Sequence, residues 1–113
     1  MIERYEDIER LTLFALGKLI KDARGSVVTF TCKKLAKIAN LSTKPVTLTL
    51  VRAVLEELRK EGYISIYKIS SHGIKYMITR ESPLWNLYKA SQKIPSNVRQ
   101  VIALLKTDIS KVN

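Results

Sequence analysis

Pro45 and Gly62 bracket a stretch in which Leu48, Val51, Val54, Leu55 and Leu58 recur at helical spacing, and directly after Gly62 the hydrophobic period changes to that of a strand. Proline suits the first turn of a helix and disfavours helical geometry at Lys44, while glycine suits the position just past its end. The helix therefore starts at Pro45 or at Thr47 and runs to Glu61. Residues 63–69 and 74–79 are rich in isoleucine and tyrosine and are joined by Ser70-Ser71-His72-Gly73, which predicts a β-hairpin. A helix that feeds straight into a hairpin has to share a core with it.

The rest of the chain supplies more helices than strands. Tyr5, Ile8, Leu11, Ala15, Leu16, Leu19, Ile20 and Ala23 mark a long amphipathic helix that Gly25-Ser26 ends. Residues 27–30 (Val-Val-Thr-Phe) form a β-branched run too short to stand alone, which needs a sheet partner elsewhere. Thr31 caps a helix over 32–39, with Cys32, Leu35, Ile38 and Ala39 facing inward and Lys33, Lys34 and Lys37 outward. Ser82-Pro83 begins a further helix with Leu84, Trp85, Leu87 and Tyr88 on its apolar face, and Pro95-Ser96 precedes a last one. The expected fold is α+β, mostly helical with a small hairpin, in one domain over 1–113 with a core at 6–80 and a helical extension at 82–112.

Charge narrows the choice of partner. The net charge is +10, and it is unevenly spread: residues 1–22 carry −1, residues 23–80 carry +8 and residues 81–113 carry +3. A basic segment of this kind attracts polyanions. Composition excludes several classes of function. One cysteine and one histidine cannot assemble a zinc site or an internal disulfide, so no metal is expected. There is no phosphate-cradling glycine loop, no nucleophile with a local histidine and no carboxylate cluster beyond the solvated acids of the first helix, so neither catalysis, a cofactor nor a small-molecule ligand is expected. No run approaches the roughly 18 apolar residues of a membrane span, and early acids at Glu3, Glu6, Asp7 and Glu9 argue for an intracellular, cytoplasmic address.

Helix, short strand, helix, turn, helix and hairpin follow one another in the order of a winged helix-turn-helix. Residues 35–42 (LAKIANLS) resemble the second helix and turn of that family, 51–64 (VRAVLEELRKEGYI) its recognition helix entering the first wing strand, and 76–79 (YMIT) its closing strand. The resemblance covers roughly residues 6–80 and is nearest to small archaeal and viral regulators. The spacing between Leu41-Ser42 and Val51 is several residues longer than in the compact form, which leaves the first base-contacting side chain open.

Such a fold implies double-stranded DNA as partner. A recognition helix needs a short-chain polar outer face to reach the floor of the major groove, and Thr43, Thr47, Thr49 and Ala53 meet that need while Arg52 is long enough for a guanine edge or a phosphate. Ser42 and Lys44, with Lys33, Lys34 and Lys37, are placed for backbone phosphates. On the hairpin, Lys68 and Lys75 flank Ser70, Ser71, His72 and Gly73 and could follow the backbone or enter the minor groove.

The apolar faces of the terminal helices suggest a homodimer. Val98, Ile102, Leu105, Ile109 and Val112 are spaced as a heptad seam, and Tyr5, Ile8, Leu84, Trp85 and Tyr88 would pack at or near the join. The expected function is a sequence-specific transcriptional regulator. Two alternatives share the fold: an architectural or partition protein that coats DNA with little sequence preference, and a protein-interaction module whose basic face meets an acidic partner.

Overall fold

The structure is a computed structural model that describes residues 4–90 and 94–112, with side chains described up to Lys106 in the last helix. Among the described residues the elements run α1 (Tyr5–Asp22), β1 (Val27–Thr31), α2 (Cys32–Ile38), α3 (Pro45–Lys60), β2 (Ser65–Ser70), β3 (Gly73–Thr79), α4 (Pro83–Ala90) and α5 (Val98–Val112). The fold is α+β: five helices pack around one core and carry a three-stranded antiparallel sheet in the order β1-β3-β2. The brief first strand finds its partner in β3, with Phe30 opposite Tyr76 and Val28 opposite Ile78.

Two helix ends are built alike. At the end of α2, Asn40 takes a left-handed conformation (φ 60°), Leu41 N–H donates to Ala36 C=O at 2.7 Å and Asn40 N–H to Lys37 C=O at 3.1 Å. At the end of α3, Gly62 is left-handed (φ 81°), Tyr63 N–H reaches Leu58 C=O at 3.1 Å and Gly62 N–H reaches Arg59 C=O at 2.9 Å. This double closure satisfies the last carbonyls of each helix and turns the chain sharply. The first closure sends the chain into the turn before α3, and the second sends it into the hairpin.

The helix that was open at its start begins at Pro45, with Lys44 extended as its cap residue. That phase puts Thr47, Val51, Val54 and Leu58 on one inner line, all buried, so Thr47 belongs to the core side and not to the outer face expected of it.

The expected intermolecular seam is corrected more extensively. Ile8, Leu84, Trp85, Tyr88, Val98 and Leu105 are all buried within the single chain, and Tyr5 and Ile102 pack half-buried against the same core. The buried line of α5 is Val98, Val101 and Leu105, which docks on α3 and α4. The six buried side chains of that set have little surface left to offer a second copy. Ile109 and Val112 lie beyond the residues whose side chains are described.

Polar contacts that the sequence does not advertise hold the terminal helices. Glu9, expected to be solvated, is 9% exposed and its Oε2 accepts from Val98 N–H at 3.0 Å, capping α5 from α1. Asn97 Oδ1 accepts from Gln100 N–H at 2.7 Å, and Gln100 Oε1 accepts from Ser96 N–H at 2.8 Å, a reciprocal cap at the same helix start. Tyr88 hydroxyl donates to Leu13 C=O at 3.0 Å in the core between α4 and α1, and burial pushes its phenol above the usual tyrosine range. Ser82 Oγ donates to Tyr63 C=O at 2.6 Å and accepts from Leu84 N–H, which pins the start of α4 beneath the hairpin.

Candidate nucleic-acid interface

The sheet ends in a hairpin that projects past the helical core. Every residue of β2 is exposed, whereas Tyr76 and Ile78 of β3 are buried beneath it. A two-residue loop, Ser71-His72, joins Ser70 to Gly73, and Ser70 Oγ accepts from His72 N–H at 3.2 Å while Gly73 supplies a positive φ of 121°. Lys68 and Lys75 stand directly opposite each other on the two strands, and Thr31 lies opposite Lys75 from the other side. Like charges facing each other across a strand pair repel, an arrangement that a bound anion would relieve.

Beside that pair is a cleft of about 260 Å³ lined by Thr31, Lys68, Ser70, His72, Gly73, Ile74 and Lys75. It brings together five of the six hairpin residues named from the sequence, with the sixth, Ser71, exposed at the tip. Thr31 also caps α2, its Oγ1 accepting from Lys34 N–H at 3.1 Å. The hairpin cleft therefore adjoins the start of the helix that exposes Lys33, Lys34 and Lys37.

The outer face of α3 stands close by. Arg52 is exposed on α3, and its positive charge bears on both Cys32 at the start of α2 and Tyr76 in the sheet. Burial, outweighing that charge, pushes the Cys32 thiol up, which keeps it protonated and unreactive. Thr49 and Ala53 are exposed as expected. The Thr49 hydroxyl, however, donates to Pro45 C=O at 2.8 Å, so its proton is spent on its own helix. Ser42 is half-buried and its Oγ accepts from Lys44 N–H at 3.0 Å, shaping the turn, while Thr43 and Lys44 are exposed.

Sequence reasoning missed Val46. It is 74% exposed in the first turn of α3, the most exposed large apolar side chain among the described residues, and helical geometry sets it on the line of Thr49 and Ala53. The available signal was its position off the buried stripe. Glu56, on the same helix, is tied into the fold. Its carboxylate is held by Arg59 through three contacts of 2.9–3.1 Å and accepts from Tyr76 hydroxyl at 2.8 Å. Arg59 first, and Tyr76 after it, hold this carboxyl below the usual glutamate range, and its charge is matched within the fold.

Lys33, Lys34, Lys37, Lys44, Arg52, Lys68 and Lys75 are all exposed, and none takes part in an ion pair among the described residues. By contrast Arg10, Arg59 and Arg80 are paired with Asp7, Glu56 and Glu81. The described residues contain no group of acids, histidines and cysteines that could hold a metal ion, and no helix among them is long and apolar enough to cross a membrane. No protein-family model, curated protein or solved structure matches the chain.

Proposed function

We propose that the chain is a winged-helix protein that binds duplex DNA, with α3 as recognition helix in the major groove and the β2–β3 hairpin as the wing on adjacent backbone or minor groove. The observation that carries the reading is the set of seven exposed cations with no acidic partner among the described residues, drawn from α2, the start of α3, the face of α3 and both strands of the hairpin. Their gathering on adjoining elements, with no acid opposite them, suits a ligand that supplies the negative charge. Lysines on α2 and at the start of α3 set orientation through phosphates, and Arg52, Thr49, Ala53 and Val46 face base edges.

The role that follows is sequence-specific regulation of transcription in the cytoplasm. A second reading, an architectural protein that coats DNA, is favoured by Thr49: with its hydroxyl proton spent on Pro45, the helix has few donors left for base readout. Selection of bound duplexes from a random pool separates the two. Regulation predicts one enriched site bound roughly a thousandfold or more tighter than random DNA, and a pool that returns no motif assigns the protein to the coat.

A further inference from the structure

Among the described residues large apolar side chains are exposed singly on four elements, Phe14 on α1, Val27 on β1, Val46 on α3 and Leu104 on α5, but β2 exposes three: Ile66 at 37%, Tyr67 at 57% and Ile69 at 68%. Single exposures are ordinary on any protein surface, whereas a group on one projecting strand calls for a ligand. The register explains how they are presented. Ile66 lies opposite Tyr76 and Lys68 opposite Lys75, so Tyr67 is the extra residue of a β-bulge. A bulge leaves one residue unpaired, bends the strand and re-aims its side chain.

Beyond the bulge Ile69 lies opposite Ile74, two positions from Tyr76 along β3 and hence on the same face of the hairpin. That face looks toward α3, because Tyr76 hydroxyl reaches Glu56. The apolar tip and the outer face of α3 are thus presented to one ligand. Between Gly62 and Arg80 the chain has no acidic residue, and Lys68 and Lys75, paired across the two strands, project from the other face of the same hairpin. A duplex matches both properties, since it wraps an apolar base stack in phosphates.

We infer that the hairpin is a wedge: Tyr67 and Ile69 enter the minor groove and part a base step while Lys68 and Lys75 hold the flanking phosphates, so that the duplex bends. The inference rests on the DNA-binding reading above. Parting a step costs stacking, and it is offset by burial of the wedge and by the further protein surface that a bent duplex reaches. Flexible pyrimidine–purine steps are the favoured points of entry because they unstack most easily.

The test uses the full chain and a duplex of roughly 30 bp, short against the ~150 bp persistence length, with donor and acceptor dyes at its ends. Anisotropy reports binding and energy transfer reports bending in the same sample. Saturating wild-type protein raises the transfer, more strongly for a duplex with a central TA step than for one without. Ile69→Ser and Tyr67→Ser, both at exposed positions, bind with the same salt dependence and lose most of that rise. Wild-type binding with no rise, or an undiminished rise in both variants, overturns the wedge and leaves DNA binding standing. Absence of binding to any duplex overturns the DNA reading itself. If Ile69→Ser abolishes capture by phosphatidylserine vesicles and leaves the DNA bend intact, the tip belongs to a membrane surface and the wedge is overturned.

Discussion

Tyr76 hydroxyl donates a 2.8 Å hydrogen bond to the Glu56 carboxylate, joining the sheet to the third helix at the point where the hairpin leaves the core. Tyr76 is fully buried and its ring stacks on Phe30 at 6.1 Å between centroids, so the phenol is fixed from behind. Arg59 grips the same carboxylate through both of its oxygens. The hairpin is therefore held at a set angle to α3, which is what a ligand contacted by both requires.

That bond has a pH signature. The Glu56 carboxyl is held below the usual glutamate range in the fold, mainly by Arg59 and then by Tyr76, so the folded chain binds its proton less readily than the unfolded chain. Its stabilising contribution is complete above the ordinary glutamate pKa, about 4.3, and is lost as pH falls through the lower folded value. Tyr76→Phe costs about 1 kcal/mol at neutral pH. In Glu56→Gln the fall in urea midpoint between neutral and acid pH is shallower than in wild type. An equally steep acid limb in that variant would show that Glu56 contributes nothing to it.

Gly17 sits mid-helix because Tyr88 occupies the space where a side chain would start. A Cβ there would stand 2.8 Å from Tyr88 Cε1 and 2.9 Å from Cδ1, and the ring is tethered through its hydroxyl to Leu13 C=O. Gly17→Ala gains up to about 1 kcal/mol of helix propensity and loses about 1–3 kcal/mol to overpacking. The expected outcome is a net loss of stability in denaturant unfolding. A stabilised variant would mean that Tyr88 moves aside freely.

The last helix belongs to the core of its own chain. Leu105→Ala, at a position 5% exposed, is expected to cost about 2 kcal/mol, the low end for a buried leucine because the helix end can relax into the space. If α5 serves only the core of its own chain, the thermal midpoint of the wild type does not change with protein concentration. A midpoint that climbs with concentration would return α5 to an intermolecular role.

Much of the architecture was legible in the sequence because its punctuation is local. Pro45, Gly62, Thr31 and the Ser-Ser-His-Gly turn each impose a backbone conformation wherever they occur, and the elements between them formed as their periodicity required. The partner of β1 was not legible, since nothing in Val27–Thr31 says which strand it meets. The terminal helices misled for a related reason. An apolar stripe states that it will be buried and is silent on which chain buries it, and Glu9, read as a solvated acid, is the contact that ties α5 back to α1. At the candidate interface, composition picked out the lysines, but whether a cation is already paired depends on long-range geometry: Arg59 is paired and Arg52 is not. Thr47 was misplaced because the phase of α3 hung on where the helix starts.

Val46 predicts a preference at the base level. An exposed β-branched side chain on the line of Thr49 and Ala53 offers methyl groups to the major groove, where thymine alone presents one. Replacing thymine by deoxyuridine at the contacted positions of a selected site should weaken binding about fourfold for each methyl lost, the roughly 0.8 kcal/mol of one buried methyl-sized group. Val46→Ser should be insensitive to the exchange. Equal sensitivity in wild type and variant would place the methyl contact elsewhere.

If the exposed cations of α2, α3 and the hairpin meet phosphates, duplex affinity depends steeply on salt. Each phosphate neutralised steepens the fall of log K by about 0.9 per tenfold salt, so contact with four phosphates predicts a loss of about a hundredfold between roughly 50 and 200 mM. Lys33→Ala and Lys75→Ala should each reduce the slope by about one and weaken all sequences alike, while Arg52→Ala weakens a selected site more than random DNA. An affinity unchanged across that range of salt would contradict the account.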